Sequence, residues 1–152
     1  MNISEWAQRW KIPPQAIEEL RQLPEATMGP ATSEADTQNR LRLRANHFGG
    51  YLWRNNTGAF QDDTGRWVRY GLGNDSARIN AQFKSSDLIG ITPVEIAGHR
   101  LGIFTALEVK HPNWKGPVND RDRAQERFLL AVKAAGGIAR FITHEGQFNG
   151  TI

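Results

Sequence analysis

Apolar and polar positions recur along this chain with two periods, which predict helices and strands in an α/β domain. Apolar residues follow helical spacing near the N-terminus, in a segment capped by Thr32 or Ser33 that runs to about Ala45, and from about Asp120 to Ala135. Between these segments lie short runs rich in β-branched and aromatic residues. We predict that these runs are strands, and they cover Tyr51–Arg54, Arg66–Tyr70, Asp87–Thr92, Leu101–Lys110 and Ile138–Ile142.

The connections between these elements indicate how the strands pair. Asp62–Gly65 predicts a hairpin turn between the first two strands, and the polar stretch Leu72–Ser86 is predicted to be a loop. The third and fourth strands are expected to pair antiparallel across a turn near Ala97–His99. A helix that ends at Gly136-Gly137 separates the last two strands, so they are expected to be parallel. The predicted fold is a mixed β-sheet flanked by helices.

The N-terminal segment is expected to be an extension of this domain. Ser4 is a candidate N-cap, and helical spacing on both sides of Pro13-Pro14 predicts a helical hairpin over residues 4–23. Met28-Gly29-Pro30 separates the hairpin from the rest of the chain, which gives domains 1–30 and 31–152. The hairpin suits a packing arm better than a DNA-reading helix pair or a dimer arm.

Composition narrows the classes of function. The chain has no cysteine, which excludes disulfides, thiolate zinc sites and cysteine nucleophiles. Its four histidines lack metal-ligand spacing, and Gly71-Leu72-Gly73 lacks the residues that complete a nucleotide-binding loop. A net charge of +3 favours a nucleic-acid partner only slightly. Without a signal-peptide pattern or an apolar run long enough for a bilayer, we expect a soluble, cytoplasmic protein with no membrane partner and no nucleotide cofactor.

Charged residues stand at the ends of two apolar runs, where they indicate chemistry. Asp87 begins one run, and Glu108 and Lys110 interrupt the end of another. Because side chains alternate along a strand, Glu108 and Lys110 share a face, and antiparallel pairing brings Asp87 beside them. Two carboxylates and the Val109 carbonyl are ligands that suit Mg²⁺ or Mn²⁺. The pattern predicts metal-dependent phosphodiester hydrolysis, in which Lys110 holds the attacking water.

Two more residues are candidates for the same site. Glu34, in the first turn of a helix, is a possible outer metal ligand, although interaction with the helix dipole explains it equally well. Gln125 is either a site residue that bonds a ligand or phosphate, or a solvated helix residue. Charged and polar residues around the site are candidates for phosphate contacts, with a solvated helix face or a strand-end ion pair as the alternatives. These nucleic-acid-binding candidates are Arg54, Asn56, Lys115, Arg121, Arg123 and Arg127.

The order of these motifs carries a family resemblance. From about Glu34 to Thr143 the chain resembles the VRR-NUC nucleases, the virus-type replication and repair branch of the PD-(D/E)XK superfamily. Each motif is short, and the specificity lies in their order and spacing. The motifs are Glu34 with Gln38, Trp53–Gly58, Ser86–Gly90, Leu107–Lys110, Gln125 and Ala134–Gly137.

The resemblance implies a restriction-endonuclease-like fold and a nuclease activity. Stand-alone viral and bacterial members look like Mg²⁺- or Mn²⁺-dependent homodimers that cut branched DNA such as Holliday junctions, while other members act on flaps. Carried over, Asp87 and Glu108 are metal ligands, Lys110 is the catalytic lysine and Gln125 the helix glutamine, and Glu34 is the N-terminal acidic residue.

The chain departs from the family pattern in two places. Ser86 stands where the superfamily motif has proline, and Leu72–Ser86 is long. The long segment bears on the substrate preference more than on the hydrolytic reaction. The alternatives are a flap or nicking nuclease and a catalytically silent nucleic-acid-binding module.

Overall fold

The computed structural model describes residues 3–17 and 29–150. The chain divides into two compact units, Met1–Pro30 and Ala31–Ile152. In the first unit, α1 covers Ile3–Arg9, and residues 14–17 are helical. Because α1 begins at Ile3, Ser4 lies inside the helix and not before it, so the predicted N-cap position was wrong. The predicted hairpin beyond residue 17 lies outside the described residues.

A four-stranded mixed sheet forms the centre of the second unit. Its strands lie in the order β1 (Tyr51–Arg54), β4 (Leu88–Ile96), β5 (His99–Val109) and β6 (Ile138–Ile142). The β1–β4 and β4–β5 pairs are antiparallel, and β5 and β6 are parallel. The pairing predicted for the last three of these strands is confirmed, as is the mixed sheet flanked by helices. Gly98 takes a positive φ of 79° in the tight β4–β5 turn, which glycine adopts without a steric penalty.

One long helix packs on each face of this sheet. The first, α2 (Glu34–His47), has Ser33 as its N-cap, and the Ser33 side chain accepts a hydrogen bond from the Asp36 amide. Its Leu41 and Ala45 belong to a cluster with buried residues of the strands, namely Leu52, Leu88, Leu107, Val109 and Ile142. The other, α4 (Asp120–Ala134), buries Phe128 and Leu129 against Ala106 and Ala139 on the opposite face. The faces differ because strand side chains alternate, so Leu107 and Glu108 point to opposite helices.

The segment between β1 and β4 differs from its prediction. A second strand, β2 (Gly58–Gln61), pairs with β3 (Trp67–Tyr70) in a separate two-stranded sheet. The Asp62–Gly65 turn therefore joins β2 to β3, and the prediction that it joins β1 was wrong. Asp62 Oδ1 holds this turn by accepting hydrogen bonds from the amides of Thr64 and Arg66. The predicted loop Leu72–Ser86 contains α3 (Ala77–Gln82), which Ser76 caps.

The buried face of α4 also differs from the apolar stripe that helical spacing predicts. Ala124 and Phe128 are buried as expected, but Ala131 and Ala135 are exposed. Asp122 and Gln125 are buried in their place, at the N-terminal end of the helix. Burial of polar residues is costly unless they are hydrogen-bonded, so these two side chains require partners inside the domain. Within residues 3–17 and 29–150, no helix is long and apolar enough to cross a membrane.

Candidate active site

Antiparallel pairing of β4 and β5 brings Asp87 and Glu108 together. Leu88 is the partner of Leu107, so Asp87 and Glu108 occupy the next opposed position, where β4 begins and β5 ends. Each carboxylate accepts a main-chain hydrogen bond from the other strand: the Asp87 amide donates to Glu108 Oε2 at 3.1 Å, and the Val109 amide donates to Asp87 Oδ2 at 3.1 Å. The two carboxylates are thus held side by side on the α4 face of the sheet.

Asn55 fixes the segment that leads into Asp87. Its side-chain amide donates to Ser85 Oγ and to the Ser86 carbonyl, both at 2.8 Å, and its main-chain amide donates to the Asp87 carbonyl at 2.8 Å. Ser86 is fully buried, and its hydroxyl donates to the Leu88 carbonyl at 2.9 Å. Ser86 therefore supplies a local hydrogen bond in the segment before β4.

Lys110 lies at the centre of a buried polar network. Its Nζ donates to Asp122 Oδ1 at 2.7 Å and to Gln125 Oε1 at 2.8 Å, and Glu108 Oε1 lies 3.3 Å away. The Gln125 amide donates to the same Glu108 oxygen. Two hydrogen bonds and one ion pair therefore hold the ammonium group between α4 and the end of β5. The interpretation of Gln125 as a solvated residue was wrong, since it is 1% exposed.

The charge state of this network is set by burial and by neighbouring charges. Burial, followed by the negative charge of Asp87, raises the pKa of Glu108 to about 7. Burial also raises the pKa of Asp87, and the charge of Glu34 adds to the effect. Burial acts to lower the pKa of Lys110, but the hydrogen bond to Asp122 and the charge of Glu108 outweigh it, so the pKa is raised. Lys110 therefore stays charged beside Glu108 and Asp122.

The raised pKa of Glu108 predicts how stability depends on pH. Between about pH 4.5 and 7 the folded protein holds a proton on Glu108 that the unfolded chain releases, so stability falls as pH rises through this window. In EDTA, we expect the free energy of unfolding to fall by on the order of 3 kcal/mol across this window. Glu108→Gln should flatten this dependence in urea titrations, whereas the exposed Glu95→Gln should retain it. Equal slopes in wild type and Glu108→Gln would refute the assignment.

The donor set at this position fits a divalent cation. Asp87 and Glu108 offer hard carboxylate oxygens, and their mutual repulsion is relieved by a positive ion between them. Val109 is the last residue of β5 and is adjacent to both carboxylates. Among the residues that the structure describes, no three Asp, Glu or His side chains lie close enough together to hold an ion. The ligand roles of Val109 and Glu34 stay predictions.

The other predicted site residues lie around this network with different surroundings. Glu34 is exposed at the start of α2, and its negative charge contributes to the raised pKa of Asp87. Arg121 is exposed, and its charge also acts on Asp87. Arg123 pairs with Asp120 at 3.2 Å, and Arg127 donates to the Gln82 carbonyl. Three further candidates have exposed side chains and stay predictions: Arg54, Asn56 and Lys115.

Two residues of the site were missed by sequence reasoning. Asp122 is 5% exposed and binds Lys110, and Asn119, the N-cap of α4, donates to it. Asp122 precedes Gln125 by three residues, which places both on one face of the helix. This spacing was a usable signal in the sequence. Lys84 is half-buried, its main-chain amide donates to the Ala124 carbonyl on α4, and its charge interacts with both Asp87 and Glu108. Burial, and then Arg121, lower the pKa of Lys84.

Trp114 packs beside the polar network of Lys110 and contacts Asp122. Its ring lies 4.4 Å from that of Phe141, and its indole N–H donates to Asp122 Oδ2 at 3.4 Å. Phe141 belongs to β6, so a distant strand supplies the surface that covers the ring.

No family model, curated protein or solved structure matches this chain.

Proposed function

We propose that this protein is a Mg²⁺- or Mn²⁺-dependent endodeoxyribonuclease that hydrolyses phosphodiester bonds in branched DNA, as a Holliday-junction resolvase does. The observation that carries the proposal is the adjacent Asp87 and Glu108 carboxylates, bonded into one network with Lys110 and Gln125. Their sequence order is the order of the motifs that resemble the VRR-NUC nucleases. The mixed sheet with a helix on each face is compatible with the restriction-endonuclease-like fold that the resemblance implies.

The network assigns a role to each residue. Asp87 and Glu108 would hold the cation, which offsets phosphate charge and stabilises the leaving oxygen when bound. Gln125 and Lys110 fix the orientation of Glu108, because both bond its Oε1 atom. Lys110 offsets the charge of Glu108, and its hydrogen bonds to Asp122 and Gln125 hold the ammonium group beside the carboxylates, where it would orient the attacking water. Lys84 and Arg121 are the cations that remain for the DNA backbone beside the carboxylates.

A cleavage assay with several DNA structures tests this function. Labelled four-way junction, flap, nicked and linear duplex DNA are incubated with the protein in Mg²⁺ or Mn²⁺, and products are separated on denaturing gels. Paired cuts in the junction support a resolvase, whereas cuts confined to the flap or to one strand identify a flap or nicking nuclease. Binding without cleavage in either metal would overturn the proposal in favour of a silent nucleic-acid-binding module.

We also propose that the protein acts as a homodimer. Resolution of a junction requires two symmetric cuts, and a two-fold pair of sites provides them. The α4 face of the sheet supports this, because the opposed residues Ile91 and Phe104 are 46% and 41% exposed there. Such apolar side chains on an open sheet face are typical of interaction sites. Phe104 also lines a concavity together with Gly102, Val132 and Gly137.

The dimer is tested by molar mass in solution. We expect light scattering to give the mass of two chains for wild type and of one chain for Phe104→Glu, because a buried unpaired carboxylate opposes association. The control is Leu43→Glu, which changes a 60%-exposed residue of α2 and should remain dimeric. A monomeric wild type at assay concentrations would contradict the dimer.

A further inference from the structure

An exposed pair of stacked aromatic rings lies on β1. The rings of Tyr51 and Trp53 are 6.0 Å apart between centroids, with an interplanar angle of 6°. Both side chains are at least half exposed, at 61% for Tyr51 and 50% for Trp53. Exposing large aromatic surface is unfavourable in water, so a pair of parallel rings with an open flank suits a planar, apolar ligand surface.

The strand register places these rings beside the carboxylate pair. Trp53 is the partner of Ile89, and Tyr51 is the partner of Ile91. Opposed residues share a face and alternate residues do too, so Trp53, Ile89 and Asp87 lie on the same side of the sheet. Ile89 is two residues from Asp87, which puts the Trp53 and Asp87 Cα atoms roughly 8 Å apart from standard strand spacings. The rings are therefore within one or two nucleotide lengths of the proposed site of hydrolysis.

The edge of β1 is blocked against pairing with another strand. β1 is an outer strand of its sheet and has only four residues. The Arg42 side chain donates to the Leu52 carbonyl at 3.4 Å, which occupies an acceptor of this strand. Short strands with charged side chains across the edge resist addition of a further strand. A second copy that extends the sheet at β1 is thus disfavoured, which leaves the exposed rings as the surface of this strand that a ligand can reach.

Positively charged side chains near this face favour an anionic ligand. Across the carboxylate pair, Lys84 and Arg121 are close enough for their charges to act on Asp87. A single DNA strand combines a charged backbone with flat bases, and proteins bind such strands by combining cations with exposed aromatic rings.

We propose that Trp53, backed by Tyr51, is a stacking platform for an unpaired nucleobase of the DNA strand whose phosphate lies at Asp87 and Glu108. The inference rests on the proposed function, because it takes the DNA to lie across the carboxylate pair. It assigns this surface a preference for the unpaired bases found at branch points, gaps and flaps. Duplex DNA, whose bases are already stacked on each other, offers no base face to the ring.

Equilibrium binding without divalent metal tests the platform separately from cleavage. Fluorescence anisotropy in EDTA measures the Kd for a labelled oligothymidine and for a duplex of equal length, with wild type, Trp53→Leu and Trp53→Phe. Trp53→Leu loses the stacking of one base, so its Kd for oligothymidine should be roughly 5- to 150-fold higher than that of wild type. Trp53→Phe keeps a ring and should retain most of the affinity, while duplex binding stays unchanged in both. Trp53 is exposed, so neither substitution should alter the unfolding temperature.

The outcomes separate this inference from the proposed activity. It is overturned if Trp53→Leu binds oligothymidine as wild type does, if duplex affinity falls by the same factor, or if wild type does not bind the oligonucleotide. It is also overturned if Trp53→Leu changes the molar mass in light scattering, because the rings then belong to a contact between copies. A protein that cuts no DNA in any metal, yet shows the Trp53-dependent preference, retains the platform and loses the nuclease assignment.

Discussion

Asp87→Asn is expected to reduce DNA cleavage by at least roughly a hundredfold, because the ion held by these carboxylates supplies several kcal/mol of charge stabilisation. Asparagine has the shape of aspartate, and its side-chain oxygen can still accept the hydrogen bond from the Val109 amide. The substitution therefore removes one negative charge without removing the contact that joins β4 to β5. Rates of product formation from a junction, at saturating protein, measure the effect.

A thermal measurement shows whether the loss arises at the metal site. If wild type binds Mg²⁺ or Mn²⁺ there, an ion at a hundred times its Kd should add about 2.7 kcal/mol to the free energy of unfolding. Asp87→Asn should lose this increment together with activity, whereas Glu95→Gln, an exposed glutamate of β4, should keep both. Cleavage by Asp87→Asn at the wild-type rate would contradict the site.

Asp122→Ala is expected to destabilise the protein by about 3 kcal/mol, the lower end of the usual cost of breaking a buried ion pair, because Glu108 stays 3.3 Å from the Lys110 ammonium group. The side chains of Lys110 and Asp122 are 12% and 7% exposed, and their atoms are 2.7 Å apart. The variant also removes the acceptor of the Trp114 indole and the Asn119 amide. Urea unfolding measures the difference, and a purely local effect of an acidic residue near a helix start would be much smaller.

Asp120→Ala is the matched control, because Asp120 lies in the same first turn of α4 but is 98% exposed. Its ion pair with Arg123 is at the surface and should contribute no more than about 1 kcal/mol. The double variant Asp122→Ala/Lys110→Met should be more stable than the sum of the single effects predicts, since it removes both charges. A cost for Asp122→Ala no larger than that for Asp120→Ala would mean that Lys110 is held by other groups.

The asymmetry between Asp122 and Glu108 is consistent with a functional site. Burial acts to raise the pKa of Asp122, but the hydrogen bond from Lys110 outweighs it, and the pKa lies below its ordinary value. Glu108 has the opposite shift although it contacts the same ammonium, because it is more deeply buried and faces Asp87. Asp122 therefore satisfies the lysine as a carboxylate, whereas Glu108, whose pKa is raised to about 7, becomes charged only at an energetic cost. Such an unrelieved charge disfavours the free protein and favours a bound cation.

Local patterns were sufficient for most of the sheet but not for the segment between β1 and β4. The alternation in Leu101–Lys110 and the helix before Ile138 predicted the antiparallel and parallel pairs, because both depend on short-range geometry. β2 and α3 were missed, since Gly58–Gln61 and Ala77–Gln82 carry few buried residues and little periodic signal. The pairing of β1 with β4 was not predicted, because the Asp62–Gly65 turn suggested a nearer partner.

The sequence by itself determined that Glu108 lies on the strand face opposite Leu107 with Lys110 just after the strand, and that Asp87 immediately precedes the neighbouring strand. Side-chain alternation and chain reversal at Ala97-Gly98 impose this arrangement whatever surrounds it. Only the tertiary structure decided that Asp122 and Gln125 accept hydrogen bonds from Lys110, that Lys84 lies near the carboxylates, and that Trp53 shares their face. These contacts join residues far apart in the chain, and they depend on how α4 and β1 pack against the sheet, which no local period encodes.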